Sequence, residues 1–244
     1  MYGTAMMGLM GGSGNTYGQA VNFDGSTYLR KASDFTGAAD SKLILLSFWF
    51  RKTTTATGVI YEGDSGFRID LDTNRRVNFS APNSAGTNIL IASTTSTAQF
   101  NLNTWNHIAV SVDMSDTAKR HVYINGSAPT MTWTTYTNAA MNLTCSTHTV
   151  AANSSLGEKY TGALSEVYIN FGAYLDLSVS ANLQKFRTAG GKPAVLGSNG
   201  SVPTSSQPIL YLSGTATSFA TNKGTGGGMT TTGTLTNSTT SPSD

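Results

Sequence analysis

The sequence of 244 residues contains little charge and only one cysteine. Lysine, arginine, aspartate and glutamate make up 11% of it, and the formal net charge at pH 7 is +2. The basic residues are scattered in isolated pairs such as Lys119-Arg120, which we interpret as solvated strand ends, so neither nucleic acid nor an anionic membrane is an expected partner. Cys145 has no second cysteine to pair with, so no intrachain disulfide can form. An apolar core must therefore hold the fold, and a chain of this length can bury one.

Long apolar runs are also absent. No uninterrupted apolar stretch approaches the roughly 18 residues that a membrane-spanning helix needs, so we expect no membrane association. Residues 1–18 contain methionine and leucine, but glycines interrupt them and the first positive charge is Arg30. Because a secretory signal has a basic region followed by a continuous apolar one, this segment lacks the pattern of a signal peptide.

The apolar residues that are present fall in short runs typical of β-strands. Residues 108–112 are rich in β-branched side chains, and residues 121–124 predict a second strand that ends at Asn125-Gly126. This residue pair best tolerates the positive φ of a tight hairpin turn. The unit of strand, loop, strand and tight turn therefore predicts an antiparallel meander. Residues 42–52 predict a longer strand that is apolar on both faces and therefore central and covered on both sides.

Four segments, in order along the chain, resemble the laminin-G-like, concanavalin A-like lectin/glucanase sandwich. They are an opening strand and turn, an aromatic strand, the strand–loop–strand unit that ends in Asn-Gly, and a late strand, at residues 21–29, 46–51, 102–126 and 157–169. The resemblance implies an all-β fold, an antiparallel β-sandwich of the jelly-roll, concanavalin A-like type. One short helix is predicted near 179–187, with Ser178 as its N-cap.

The predicted organisation has three parts: an N-terminal anchoring arm at 1–19, a lectin-like sandwich at 20–212, and a Thr/Gly-rich C-terminal segment at 213–244 with a last strand at 229–236. Stretches after Lys185 resemble the tails of lectin-like domains in tailed-phage structural proteins. Because methionine side chains fill irregular gaps, we expect the arm to pack against a neighbouring subunit. The alternative is that it folds back onto its own sandwich. The arm residues expected to make the contacts are Tyr2, Met6, Met7, Leu9, Met10 and Tyr17.

The residue patterns of hydrolytic enzymes are missing. Glucanases of this superfamily use two carboxylates, often in Glu-x-Asp-x-x-Glu on one strand face, but glutamate occurs only at 62, 158 and 166 and never in that pattern. His107 and His121 fall in predicted strands, where we interpret them as hydrogen-bond partners and not as catalytic bases. We predict no catalytic site, no metal pattern and no cofactor, although the resemblance allows a calcium ion. The loop aspartates considered for it are Asp24, Asp64 and Asp113.

Sugar recognition requires an exposed aromatic platform with polar neighbours, because a pyranose ring stacks on a flat aromatic face. Trp49 and Trp105 are expected in the core. Trp133 and Tyr136 lie among threonines and are the candidate carbohydrate-binding residues. The alternative is that this pair covers a sheet edge or a subunit contact.

A lectin-like sandwich with neither a secretion signal nor disulfides is typical of a virion protein assembled in bacterial cytoplasm. We therefore expect a non-enzymatic structural protein of a phage virion, such as a capsid decoration, neck or tail appendage, that forms a homo-oligomer and contacts other virion proteins. A carbohydrate-binding module for adhesion to host surface glycan is the alternative, and a glycoside hydrolase is the third. A polar pocket around Trp133 would favour the alternative.

Overall fold

The structure, a computed structural model, describes residues 18–244, and β-strands dominate this part of the chain. The predicted all-β class is confirmed, since the α-helix of the described residues, α1, spans only Ser180–Leu183. Residues 1–17 of the predicted arm lie outside the described residues, and with them Tyr2, Met6, Met7, Leu9, Met10 and Tyr17. The strands are β1 Val21–Asp24, β2 Tyr28–Lys31, β3 Leu43–Lys52, β4 Gly58–Gly63, β5 Arg68–Leu71, β6 Val77–Pro82, β7 Asn88–Thr94, β8 Asn106–Asp113, β9 Arg120–Ile124, β10 Met131–Tyr136, β11 His148–Val150, β12 Thr161–Phe171, β13 Leu210–Leu212, β14 Thr230–Thr232 and β15 Thr236–Asn237.

These strands form two antiparallel sheets that pack as a sandwich. The first sheet has the order β15-β1-β12-β3-β8-β9, with β13 also paired to β12, and the second has the order β10-β7-β6-β5-β4-β11-β2-β14. The predicted jelly-roll, concanavalin A-like sandwich is therefore confirmed. Strands β9 and β10 follow each other in the chain but belong to different sheets, and each lies at the end of its sheet.

The main core lies between the two sheets. Successive side chains of a strand point to opposite sides, so alternate residues of β3 enter this core. Each of them is at most 1% exposed, and they are Ile44, Leu46, Phe48 and Phe50. Full burial of one such apolar side chain stabilises a fold by roughly 1.5–3 kcal/mol. The core therefore determines which face of each strand is left for polar groups.

A second apolar cluster covers the outer face of the first sheet. Its buried members come from the sheet and from the segments that follow β12, and they are Leu45, Ala109, Tyr168, Leu177, Phe186, Leu196 and Tyr211. Tyr168 and Phe186 pack edge to face with ring centroids 5.2 Å apart, an arrangement that aromatic pairs favour. The prediction that β3 is covered on both sides is thus confirmed.

The helix is shorter than predicted and its predicted N-cap is wrong. The N-cap residue of α1 is Val179, and no side chain caps the helix. The hydroxyl of Ser178 instead donates to Asp176 Oδ1 at 2.5 Å, and the Ser178 amide donates to the same oxygen at 2.9 Å. An Asx turn of this kind competes with helix capping for the same hydroxyl, which explains the error.

The predicted hairpin of β8 and β9 is confirmed. The two strands pair antiparallel across the loop at residues 114–119. Asn125 and Gly126, with φ of 53° and 87°, form the predicted tight turn after β9. The predicted meander does not continue past this turn, because β10 pairs with β7 in the other sheet. Trp49 is buried as predicted, at 3% exposure. The core position predicted for Trp105 is wrong, because this residue precedes β8 and is only half-buried. Its indole N–H donates to Thr240 Oγ1 at 3.2 Å.

Residues 213–244 add a strand to each sheet. Where the sequence predicts one strand at 229–236, the structure has two short strands, of which β14 pairs with β2 and β15 with β1. The chain bends between them at Gly233, whose φ is 82°, because one straight strand cannot join both sheets. None of the described residues belongs to a helix that is long and apolar enough to cross a membrane.

Candidate functional site

The candidate site is a groove at one edge of the sandwich, between β9 of the first sheet and β10 of the second. Both strands are terminal in their sheets, since β9 pairs with β8 and β10 with β7. The groove has a volume of about 210 Å³. Its lining includes Arg120, His121, Ala128, Pro129, Met131 and Trp133. We call it the β9–β10 groove.

An irregularity in β10 brings two aromatic residues to the same side of the strand. The pairing register with β7 shifts between Trp133 and Thr135, as happens where a β-bulge adds one residue. Residues three apart on a regular strand point to opposite faces, but the extra residue places Trp133 and Tyr136 together. Their ring centroids are 5.7 Å apart and the ring planes meet at 89°. The two rings therefore form a right-angled corner.

Arg120 lies in this corner. Its guanidinium carbon is 4.8 Å from the ring centroid of Trp133 and 5.0 Å from that of Tyr136. Cation–π attraction contributes roughly 0.5–1 kcal/mol at exposed sites and more where water is excluded, so the two rings hold the guanidinium in place. Among residues 18–244 no side chain or backbone group accepts a hydrogen bond from this guanidinium or pairs with its charge. Its N–H donors are free to meet a ligand.

The exposed platform predicted from the sequence is not what the structure has. Trp133 and Tyr136 are half-buried and pack against the core, and Arg120 lies over both rings. A pyranose cannot stack on a ring face that the guanidinium already covers. The groups that the corner presents are therefore the guanidinium and the ring edges.

Sequence reasoning missed Arg120, which we interpreted as a solvated strand end. The signal was the alternation along β9, because Arg120, Val122 and Ile124 share one side of the strand. Val122 and Ile124 are only 4% and 5% exposed. That alternation places Arg120 on the inward-facing side, at the point where the strand leaves the core.

The hydroxyl of Tyr136 fixes the second ring. It donates to the backbone carbonyl of Asp113 at 2.7 Å, at the end of β8 where the loop to β9 begins. Burial raises the pKa of Tyr136 to about 12, although the charge of Arg120 opposes the shift, so the hydroxyl remains a donor at neutral pH. In the same loop the Asp116 carboxylate accepts from the Ala118 amide at 2.9 Å and is committed to that turn.

His121 borders the groove on its other side. Its Nε2 lies 2.8 Å from the hydroxyl of Tyr174 and 3.3 Å from Asp176 Oδ1. Burial and the negative charge of Asp176 raise the pKa of Tyr174 to about 12. The side chain of His121 is 15% exposed, so it can contact a ligand at the surface but not deep in the groove. This agrees with its interpretation as a hydrogen-bond partner.

The carboxylates of the second sheet surround a different arginine. Arg68 lies 3.0 Å from Glu62, 2.8 Å from Asp70 and 2.7 Å from Glu158. A glycosidase acid must hold its proton near neutral pH and needs a raised pKa. The hydrogen bond from Arg68 lowers the pKa of Glu158 instead. These carboxylates are arranged as an ion-pair cluster.

Glu166, the remaining glutamate, is buried and supports the fold. Its Oε2 accepts from the Tyr211 hydroxyl at 2.5 Å, and its Oε1 accepts from the Gly18 amide at 3.1 Å. Burial raises the pKa of this carboxyl. The residue is 2% exposed, so no substrate can reach it.

The other histidines are also internal. His107 is fully buried, with Nε2 2.8 Å from Ser47 Oγ, and burial lowers its pKa to about 3. Both ring nitrogens of His148 are occupied, because Tyr61 lies 2.7 Å from Nδ1 and Asp34 lies 2.9 Å from Nε2. Burial separates His107 from any substrate, and the two partners of His148 leave it no free nitrogen to accept a proton from a nucleophile such as Cys145.

The three aspartates considered for calcium lie at separate places. Asp24 ends β1, Asp64 lies in the turn after β4, and Asp113 ends β8. Asp24 accepts hydrogen bonds from the Ser26 amide and hydroxyl, which hold its pKa well below the usual range. Within residues 18–244 no group of three His, Cys, Asp or Glu side chains converges on a point where a metal ion could bind.

Comparison with known families agrees with this architecture. The sequence profile of the concanavalin A-like lectin/glucanases superfamily, in its Laminin_G_3 form, matches residues 23–180. The chain belongs to this superfamily. The matched region extends from β1 to the start of α1 and contains the whole β9–β10 groove. No protein of curated function is similar to the chain in sequence.

Solved structures match the chain at low sequence identity. A proposed carbohydrate binding protein from Bacteroides ovatus ATCC 8483 matches at 13% identity with a TM-score of 0.59, covering 93% of this chain and 61% of that one. The heptameric SAP-like pentraxin from Limulus polyphemus matches at 16% identity with a TM-score of 0.49, covering 68% of this chain and 82% of that one. Domains LG4-5 of the mouse laminin alpha1 chain match at 12% identity with a TM-score of 0.47, covering 62% of this chain and 40% of that one.

Proposed function

We propose that this chain is a non-enzymatic glycan-binding domain and that the β9–β10 groove is its binding site. The observation that carries the proposal is the corner of two aromatic rings with a free guanidinium, placed in a concavity at an open edge of the sandwich. Aromatic surface with a few polar donors is typical of sugar sites. Membership of the lectin/glucanases superfamily supports the proposal, as does the fold shared with the Bacteroides ovatus protein.

The size of the groove supports a small ligand. Sites for drug-sized molecules measure roughly 300–1,000 Å³, whereas the β9–β10 groove measures about 210 Å³. A single sugar unit, such as the end of a glycan chain, fits this scale. The ion-pair cluster around Arg68 supports the non-enzymatic part of the proposal, because it lowers the pKa of Glu158.

The test compares two tryptophan variants on a glycan array. Trp133→Ala removes one wall of the groove, whereas Trp105→Ala removes a similarly half-buried tryptophan outside it and serves as the matched control. We expect the wild type and Trp105→Ala to bind the same glycans, and Trp133→Ala to bind them at least about tenfold more weakly. Equal binding by the two variants, or a wild type that binds no glycan, contradicts the proposal.

We also infer that this domain is displayed on a phage virion, anchored through residues 1–17. The resemblance of stretches after Lys185 to tailed-phage structural proteins supports this second role. The Gly18 amide is held by Glu166 on β12 at 3.1 Å, and β3 and β8 lie between β12 and β9. With strands about 4.8 Å apart, the anchor and the groove are separated by roughly 14 Å.

Sedimentation of the full chain and of a variant lacking residues 1–17 tests the anchoring. We expect the full chain to form an assembly and the shortened variant to be a folded monomer that retains glycan binding. The same oligomeric state for both proteins contradicts the anchoring role and leaves the glycan-binding proposal unaffected.

A further inference from the structure

We propose that the β9–β10 groove selects a sugar that carries a carboxylate, which Arg120 binds through its free N–H donors. The inference rests on the proposed glycan-binding function and specifies the class of sugar. It concerns acidic units such as uronic acids, in contrast to the neutral sugars that an open aromatic platform would accept.

Arg120 has no ion-pair partner among the described residues. The acidic residues around the groove have other partners, since Asp113 pairs with Lys119 at 3.3 Å and Asp176 lies 3.3 Å from His121. No described carboxylate pairs with Arg120 itself. The carboxylate of a ligand could therefore form the direct ion pair that Arg120 lacks among these residues.

The two rings organise the guanidinium for this task. Cation–π contacts with Trp133 and Tyr136 hold it at 4.8 and 5.0 Å without using its N–H hydrogen bonds. A planar guanidinium presents its donors as a fork that matches the two oxygens of a carboxylate. Because the rings already restrict the side chain, less conformational entropy is lost when the ligand binds.

The rest of the groove suits the body of a sugar ring. Beside the guanidinium the lining includes the apolar side chains of Pro129 and Met131, together with the polar residues His121 and Tyr123. Sugar rings have C–H groups on their faces, which pack against apolar side chains. An acidic sugar can therefore place its carboxylate on Arg120 and its ring on this apolar lining.

The experiment measures binding of four simple probes by NMR titration of the full-length protein. The probes are the methyl glycosides of glucuronic acid and galacturonic acid and their neutral counterparts, the methyl glycosides of glucose and galactose. Since hydrogen bonds to charged groups are strong, we expect at least one acid to bind about tenfold to a hundredfold more tightly than its neutral counterpart. Arg120→Gln should abolish this preference. Lys192→Gln, which removes the same charge at an exposed site outside the groove, should retain it.

The outcomes separate this inference from the proposed function. If neutral and acidic probes bind equally to the wild type, or if Arg120→Gln keeps the preference for the acid, the carboxylate inference is overturned while glycan binding stands. If neither acid binds the wild type, the inference is also overturned, and the glycan array then decides the proposed function independently. The comparison of probes on the wild type does not depend on the folding of any variant.

Discussion

Lys52 allows a quantitative test of how this sandwich accommodates a buried charge. The residue ends β3 on the same face as Phe50 and is 0% exposed, and its ammonium has no hydrogen-bond acceptor among residues 18–244. It lies 5.5 Å from the ring centroid of Tyr160, in space left open by Gly58. Burial lowers the pKa of Lys52 from 10.5 to about 8, although the negative charge of Asp70 opposes the shift.

The perturbation is Lys52→Met, which keeps most of the side-chain volume and removes the charge. The pKa of Lys52 is the ordinary 10.5 in the unfolded chain and about 8 in the folded chain. Charged Lys52 therefore destabilises the fold below pH 8, and this cost is relieved as the pH rises towards 10.5. From these values the cost is about 3 kcal/mol at pH 7 and about 1 kcal/mol at pH 9.5. The methionine variant should be more stable by these amounts.

The assay is urea unfolding of both proteins at the two pH values. The difference in the free energy of unfolding between the two proteins should fall by about 2 kcal/mol from pH 7 to pH 9.5. Groups that titrate in both proteins, such as Cys145, do not contribute to this difference. As a control, Lys159→Met removes a partly exposed lysine 5.9 Å from the ring of Tyr28, and should change stability by no more than about 0.5 kcal/mol. If Lys52→Met is less stable than the wild type at pH 7, or if the difference does not depend on pH, the reasoning is refuted.

Two further predictions concern a turn glycine and a buried acid. Gly126 and Gly86 have φ of 87° and 77°, so alanine at either position should lower the free energy of unfolding by about 1–2 kcal/mol. The loss should be larger for Gly126→Ala, because its Cβ would lie 3.0 Å from Arg187, whereas the Cβ of Gly86→Ala would face open space. Equal losses in urea unfolding would contradict the role of Arg187. Because burial raises the pKa of Glu166, the wild type should lose stability relative to Glu166→Gln as the pH rises from about 4 to 7. Thermal unfolding at both pH values checks this, and a constant difference would count against it.

Arg68 and Arg120 show how the environment of an arginine decides its role. Arg68 is surrounded by three carboxylates within 3.0 Å, so its charge and donors are used within the fold. Arg120 is held by two ring faces, which attract its charge but accept none of its N–H bonds. Only the second arrangement leaves binding capacity for a ligand.

Much of the architecture could be predicted from the sequence because it depends on local patterns. The alternation on β3 indicates a strand covered on both sides, since apolar residues on both faces each need a partner layer. Asn125-Gly126 predicts the tight turn after β9 because tolerance of positive φ is a property of the residues themselves. The resemblance of four ordered segments implied the sandwich, and the matched profile agrees.

The site depends on features that only the tertiary structure decides. The pairing of β10 with β7 determines the irregularity that brings Trp133 and Tyr136 to one side, and the distant strand β9 brings Arg120 into their corner. The Asx turn at Asp176 removes the predicted cap of α1. In each case a residue has more than one favourable local arrangement, and contacts with residues distant in sequence select one. Local patterns and the resemblance of four segments to a known family therefore indicated the sandwich, whereas the groove exists because two sheets end side by side.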